Sequence, residues 1–216
     1  NGNTLAGADT MTSTNDNLYG GSGNDTLNGN AGDNILDGGT GADIIYSGNG
    51  SDTIIIRSGD GGPTQSAGDT VSDFSDGNDS IGLAAITFGA LTIDQVGSDT
   101  VIKEGSNFLT TLTGISASAI TAVDFQSTST SAVTYNGSSV NDTMVGGAGG
   151  DTFNGGAGSD TLLGWGGNDT FNIRSKSGTY ADTITGGAGT DTLNISYSGV
   201  SDLGDLVISV SGDTFT

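Results

Sequence analysis

Cysteine and histidine are both absent from this chain. The first absence excludes disulfides, thiolate metal sites and thiol nucleophiles. The second removes the commonest general base and the commonest transition-metal ligand. Positive charge is scarce: Arg57, Lys103, Arg174 and Lys176 stand against 25 acidic residues, giving a formal net charge of −21. So acidic a chain is repelled by nucleic acid and by anionic membranes. No apolar run approaches the ~20 residues of a membrane-spanning helix, and no N-terminal signal segment is visible. The expectation is of no nucleic-acid partner, no membrane insertion, and a ligand supply made of oxygen atoms.

What the chain has in abundance is glycine, 40 residues of 216. Glycine loses the most backbone freedom on folding, so regular structure here needs a further source of stability. The glycines are periodic. From Gly20 to Ile55 the sequence reads GGSGNDTLN, GNAGDNILD, GGTGADIIY, SGNGSDTII, and from Gly137 to Asn172 it reads GSSVNDTMV, GGAGGDTFN, GGAGSDTLL, GWGGNDTFN. Each unit is a six-residue turn followed by a polar-apolar-polar triplet that suits a short strand with one buried face. The register is an acidic or amide residue with an apolar one two positions later: Asp25/Leu27, Asn34/Leu36, Asp43/Ile45, Asp52/Ile54, Asp142/Met144, Asp151/Phe153, Asp160/Leu162, Asp169/Phe171, Asp182/Ile184 and Asp191/Leu193. Asp9/Met11 and Asp16/Leu18 carry it without the glycines. A lone Gly-Asn-Asp is an ordinary turn. Repeated every nine residues, acidic groups in glycine-rich turns read as a device for holding Ca2+, several ions in all.

These units closely resemble the repeat-in-toxin (RTX, hemolysin-type) family, whose pattern is GGxGxDxUx with U a large apolar residue. The resemblance implies an all-β parallel β-roll (β-solenoid), two units per turn, with calcium between stacked loops on each edge. It pairs units two apart: Asp25 with Asp43, Asn34 with Asp52, Asp142 with Asp160, and Asp151 with Asp169. The metal ligands expected are Asp16, Asp25, Asn34, Asp43, Asp52, Asp142, Asp151, Asp160, Asp169, Asp182 and Asp191. The loop carbonyls of Gly21, Gly23, Gly39, Gly41, Gly147, Gly149, Gly156 and Gly158 join them. Asn34 puts an amide where the pattern has a carboxylate, with Asp33 displaced by one position, which predicts a weaker site. Asp142 is expected in a capping turn. The spacing of thirteen between Asp169 and Asp182 predicts an insertion near 175–180, with Asp182 and Asp191 starting a new edge.

Two tandem modules are expected, each a roll followed by antiparallel strands. Residues 1–68 form the first roll and 69–126 its closing segment and antiparallel flank. In that flank LTIDQ, DTVIKEG and FLTTLTG alternate and are joined by Gly-Ser turns. DTVSDFSDGNDSIGL resembles the closing stretch of serralysin-type protease and alginate epimerase modules. Residues 127–134 read as a linker, 135–195 as the second roll, and 196–216 as the start of a second flank, cut short, which makes the chain a fragment of a longer polypeptide.

No catalytic residue and no organic cofactor is assigned, since the aspartates recur at loop positions that metal binding already explains. The family implies type I secretion and an extracellular, bacterial cell-surface location, where millimolar calcium folds a chain left unfolded in the cytosol. The first functional reading is a calcium-binding structural module of a surface layer, filament or large adhesin, partnered by neighbouring copies of itself or by other modules of the same polypeptide. The second is a folding and secretion module attached to an enzyme or toxin, such as a protease, lipase or hemolysin. Ice binding, known for some RTX-type adhesins, needs a regular outward Thr and Asn array. The third loop position reads Ser22, Ala31, Thr40, Asn49, Ala148, Ala157, Gly166, which provides none. Trp165 reads as an exposed loop aromatic without assigned function. The Asn24 and Asn168 sequons are explained by the repeat.

Overall fold

The structure, a computed structural model, describes residues 4–6, 15–174, 181–196 and 214–215. Asp9, Met11, the insertion at 175–180 and most of the expected second flank lie outside the described residues. Among those residues the fold is all-β, with only three short 3-10 turns. The chain divides into two compact units, 1–86 with 90–125, and 87–89 with 126–216.

In the first unit each Asp-x-apolar triplet becomes a strand and each glycine turn reverses the chain. Strands β1 (Thr4–Ala6), β3 (Thr26–Asn28), β5 (Ile44–Tyr46) and β7 (Asp69–Val71) line up parallel in one sheet. Strands β2 (Asn17–Ser22), β4 (Ile35–Thr40), β6 (Thr53–Arg57) and β8 (Ser80–Ala84) line up in the other, with β12 (Phe125–Ser127) beyond β8. Consecutive triplets therefore alternate between sheets, and pairing joins units two apart, as Leu27↔Ile45 and Leu36↔Ile54 show. This is a parallel β-roll. The apolar residue of each triplet points inward. Leu27, Ile45 and Val71 form one buried column, and Leu18, Leu36, Ile54 and Ile81 form the other. Each such side chain contributes about 1.5–3 kcal/mol by leaving water.

The antiparallel flank follows as expected: β9 (Leu91–Val96), β10 (Asp99–Glu104) and β11 (Asn107–Leu112) pair antiparallel. In addition, β11 pairs parallel with β7, through Thr110↔Asp69 and Leu112↔Val71, so the flank prolongs the roll's own sheet. The roll itself runs past residue 68, because β7 and β8 are its last rungs.

The second unit repeats the plan. One sheet has the order β13 (Thr134–Asn136), β15 (Thr152–Asn154), β17 (Thr170–Arg174), β19 (Thr190–Ser196), β20 (Thr214–Phe215). The facing sheet has β14 (Thr143–Val145), β16 (Thr161–Leu163) and β18 (Thr183–Thr185). Its core is aromatic on one side: Tyr135 stacks on Phe153 and Phe153 on Phe171, each pair with ring centroids 4.9 Å apart. That is the spacing between neighbouring strands, so identical residues in register stack without adjustment. Met144, Leu162 and Ile184 fill the opposite side. One residue along from the inward-facing positions of that aromatic side, Asn154, Asn172 and Asn194 each donate a side-chain N–H to the asparagine oxygen one rung below, at 2.8, 2.9 and 2.9 Å.

Two expectations change here. The segment expected as a linker is a rung of the second roll: Ser127 N–H donates to Gly146 O, Ala148 N–H to Ser129 O, and Val133 N–H to Asp151 Oδ1. Its Ser-Thr composition hid an extended stretch that stacks through main-chain atoms. Asp182 and Asp191 do not start a new edge. Thr161↔Thr183 and Thr170↔Thr192 continue the existing sheets at a spacing of 22, so the four extra residues are absorbed between rungs.

Candidate metal centre

Asn34, Asp43, Asp52, Asp151, Asp160, Asp169, Asp182 and Asp191 each accept, through Oδ1, a main-chain N–H from the rung before. Asp25 N–H donates to Asp43 Oδ1 at 2.7 Å, Asn34 N–H to Asp52 Oδ1 at 2.8 Å, and Asp16 N–H to Asn34 Oδ1 at 2.9 Å. In the second unit Asp142 N–H donates to Asp160 Oδ1 at 3.0 Å and Asp151 N–H to Asp169 Oδ1 at 2.7 Å. Asp160 and Asp169 continue the pattern to Asp182 and Asp191 at 3.0 and 2.8 Å. The structure thus brings together all four pairs implied by the repeat. Asp142 stands on the first rung of its edge, its Oδ2 held by the Ser138 N–H at 2.7 Å.

The second carboxylate oxygen turns back over the first residue of its own loop where that residue is glycine, in the loops of Asp25, Asp43, Asp142, Asp151, Asp160 and Asp169; the loop of Asp52 begins with Ser47. A Cβ added at Gly38 would stand 2.2 Å from Asp43 Oδ2, and one at Gly164 would stand 2.3 Å from Asp169 Oδ2. Only glycine leaves that space. In most loops the second and fourth positions adopt positive φ, as at Gly39 (91°) and Gly41 (140°), whose missing side chains admit the carbonyls of Gly21 and Gly23; Gly147 and Gly149 do not share that conformation. Where glycine is replaced, the second position keeps positive φ at Asn30 (60°) and Trp165 (72°) but not at Ser138. Trp165 is half-buried, and its carbonyl accepts the Ala188 N–H, so its main chain serves the stack.

The outcome is electrostatically incomplete. Oδ2 of Asp43, Asp52 and Asp169 is buried with no hydrogen-bond donor. A buried carboxylate oxygen in that state costs several kcal/mol unless it is neutralised. Burial accordingly raises the Asp43 carboxyl, and pushes Asp52 to about 6 and Asp169 to about 7, in each case against a lowering main-chain N–H bond. Neighbouring carboxylates raise them further: Asp25 and Asp37 act on Asp43, and Asp191 and Asp151 on Asp169.

Two residues outside the expected ligand set occupy the same role. Asp69 accepts the Asp43 N–H at 2.9 Å and Asp79 accepts the Asp52 N–H at 3.1 Å, closing the two edges of the first roll. Burial pushes Asp69 to about 8. Both keep the Asp-x-apolar register, with Val71 and Ile81, and that signal could have found them. Their spacings of 26 and 27 obscured it. The longer loops also supply Asp60, which is buried, and Asp73, whose carboxylate accepts the Ser47 and Gly48 N–H groups. Arg57 forms an ion pair with Asp37 on the same edge.

Among the described residues no three carboxylates converge as an all-side-chain cage would require. A cation here must therefore combine aspartate oxygens with main-chain carbonyls. Hard oxygen donors in a glycine-shaped cradle fit calcium; with neither thiolate nor imidazole, they do not suit softer metals.

The family described as RTX calcium-binding nonapeptide repeat (4 copies) matches residues 12–45, 19–54, 28–61, 136–171 and 176–194. No curated protein matches the chain. Among solved structures it is similar to the solution structure of the AlgE6R3 subunit from the Azotobacter vinelandii mannuronan C5-epimerase, with 26% identity and a TM-score of 0.43, over 57% of this chain and 77% of that one. The chain thus carries RTX calcium-binding nonapeptide repeats, and the described residues within them form rungs of a β-roll.

Proposed function

We propose that this chain is a calcium-folded structural segment of a secreted bacterial protein, acting outside the cell within a surface layer, filament or large adhesin. The observation that carries the reading is the buried, donor-less Oδ2 of Asp43, Asp52 and Asp169, which for Asp43 and Asp169 lies above a cradle that only glycine permits. Calcium, when bound, supplies the positive charge these oxygens need. The protein's own part is positional. Main-chain N–H groups hold Oδ1, the apolar columns keep successive loops in register, and the fourth-position carbonyls of Gly23, Gly41, Gly149 and Gly158 complete the donor set with Asp25, Asp43, Asp151, Asp160, Asp169, Asp182 and Asp191. Asp69 and Asp79 close the same edges.

Two rolls occur in tandem, each with the same stacked acidic edges, and the aspartates are accounted for by those edges. That favours a load-bearing over a catalytic role, with further copies or modules as partners. Sedimentation velocity in millimolar calcium tests it: calcium-dependent growth into large particles supports assembly. A folded monomer at every calcium concentration would instead make the chain a folding appendage of another domain.

A further inference from the structure

Asn34 is the one amide at the sixth position of the glycine turns. It is buried, and all of its polar atoms are used. Oδ1 accepts the Asp16 N–H at 2.9 Å, while Nδ2 donates to Gly29 O at 3.1 Å and to Gly32 O at 3.0 Å, two carbonyls of its own loop. Nδ2 lies over the first glycine of the loop, 2.9 Å from where a Cβ on Gly29 would stand. Asp25 Oδ2 lies 2.9 Å from the equivalent point on Gly20, and Asp43 Oδ2 lies 2.2 Å from that on Gly38. The amide nitrogen therefore occupies the place that a carboxylate oxygen takes in the neighbouring loops, with opposite polarity. Carbonyls that would face a cation beside a carboxylate face two N–H donors here.

We infer that the loop of residues 29–34 is not a calcium site, and that the Asn34 amide closes it internally in place of an ion. Asp33 does not restore the site. Its carboxylate is exposed and accepts the Ser51 N–H at 2.9 Å, the outward stacking role that Asn24 plays toward Ala42 and Asn168 toward Thr190. The chain then binds fewer ions than its repeats suggest, and one edge of the first roll holds a turn that closes without metal. This inference rests on the calcium reading proposed above.

The test is a count of bound calcium at saturation, by equilibrium dialysis or native mass spectrometry, on the whole chain and its Asn34→Asp and Asn34→Ala variants, with circular dichroism confirming the fold. Asn34→Asp is expected to bind one more ion than the parent chain, and Asn34→Ala the same number. An unchanged count in Asn34→Asp, or the loss of one ion in Asn34→Ala, overturns the inference. A parent chain that binds no calcium overturns the calcium reading itself, and is recognised without reference to the variants.

Discussion

At Asp169 one carboxylate oxygen is held by the Asp151 N–H and the other is buried without a donor. The two atoms set opposite requirements for any substitution. Asp169→Asn should raise the calcium concentration at the folding midpoint about tenfold, the equivalent of ~1.4 kcal/mol. The same variant should be more stable than the parent in chelator, because it removes a buried charge. Denaturation with and without calcium checks both signs. Gly38→Ala should destabilise the calcium-loaded fold by about 1–3 kcal/mol, since its Cβ would stand 2.2 Å from Asp43 Oδ2 and one of the two must move. A urea titration reads that cost. At this scale the sequence was highly legible, because Asp at the sixth position and Gly at the first are one device. Asp69 and Asp79 escaped because the residues between them and their partners are not glycine turns, although their Asp-x-apolar triplets are intact.

At the scale of strands and loops, the nine-residue period dictates both alternation between sheets and pairing at a distance of eighteen. Stacked identical side chains follow from that pairing. Phe153, between Tyr135 and Phe171, is the centre of the aromatic column, and Phe153→Ala should cost about 3–5 kcal/mol. The thermal transition of the variant should split, with the second unit melting first, and scanning calorimetry would show it. Asn172→Ala interrupts the asparagine row at its middle and should cost about 1 kcal/mol per lost hydrogen bond. The roll and the antiparallel flank were legible in the period and in the alternation of 91–112. The parallel joint between β7 and β11 was not, because nothing local to either strand specifies a partner some forty residues away. The rung at 127–133 was hidden for a related reason: it stacks by its main chain, and its side chains carry no repeat signature.

Across the whole molecule the raised aspartates couple folding to protons as well as to calcium. A carboxyl held above its unfolded value binds its proton more tightly when folded. Its contribution is therefore full below about pH 4 and is lost as pH rises through the folded values, about 6 for Asp52, 7 for Asp169 and 8 for Asp69. Without calcium the chain should lose stability steadily between about pH 4 and 8. Calcium binding should release protons and tighten over the same window, which calorimetry in buffers of different ionisation enthalpy would reveal. With a formal net charge of −21, the calcium-free chain also carries strong self-repulsion at neutral pH. Each ion bound at ten times its dissociation constant adds about 1.4 kcal/mol, so several ions together reach the scale of a domain's whole stability. On the calcium reading proposed above, this fold exists at neutral pH because calcium occupies its stacked acidic edges. A calcium titration from chelator to millimolar, followed by far-ultraviolet circular dichroism, tests it most directly. The expected result is a disordered spectrum in chelator and a cooperative gain of β signal as calcium is added. A β spectrum that is full in chelator and unmoved by calcium would contradict it.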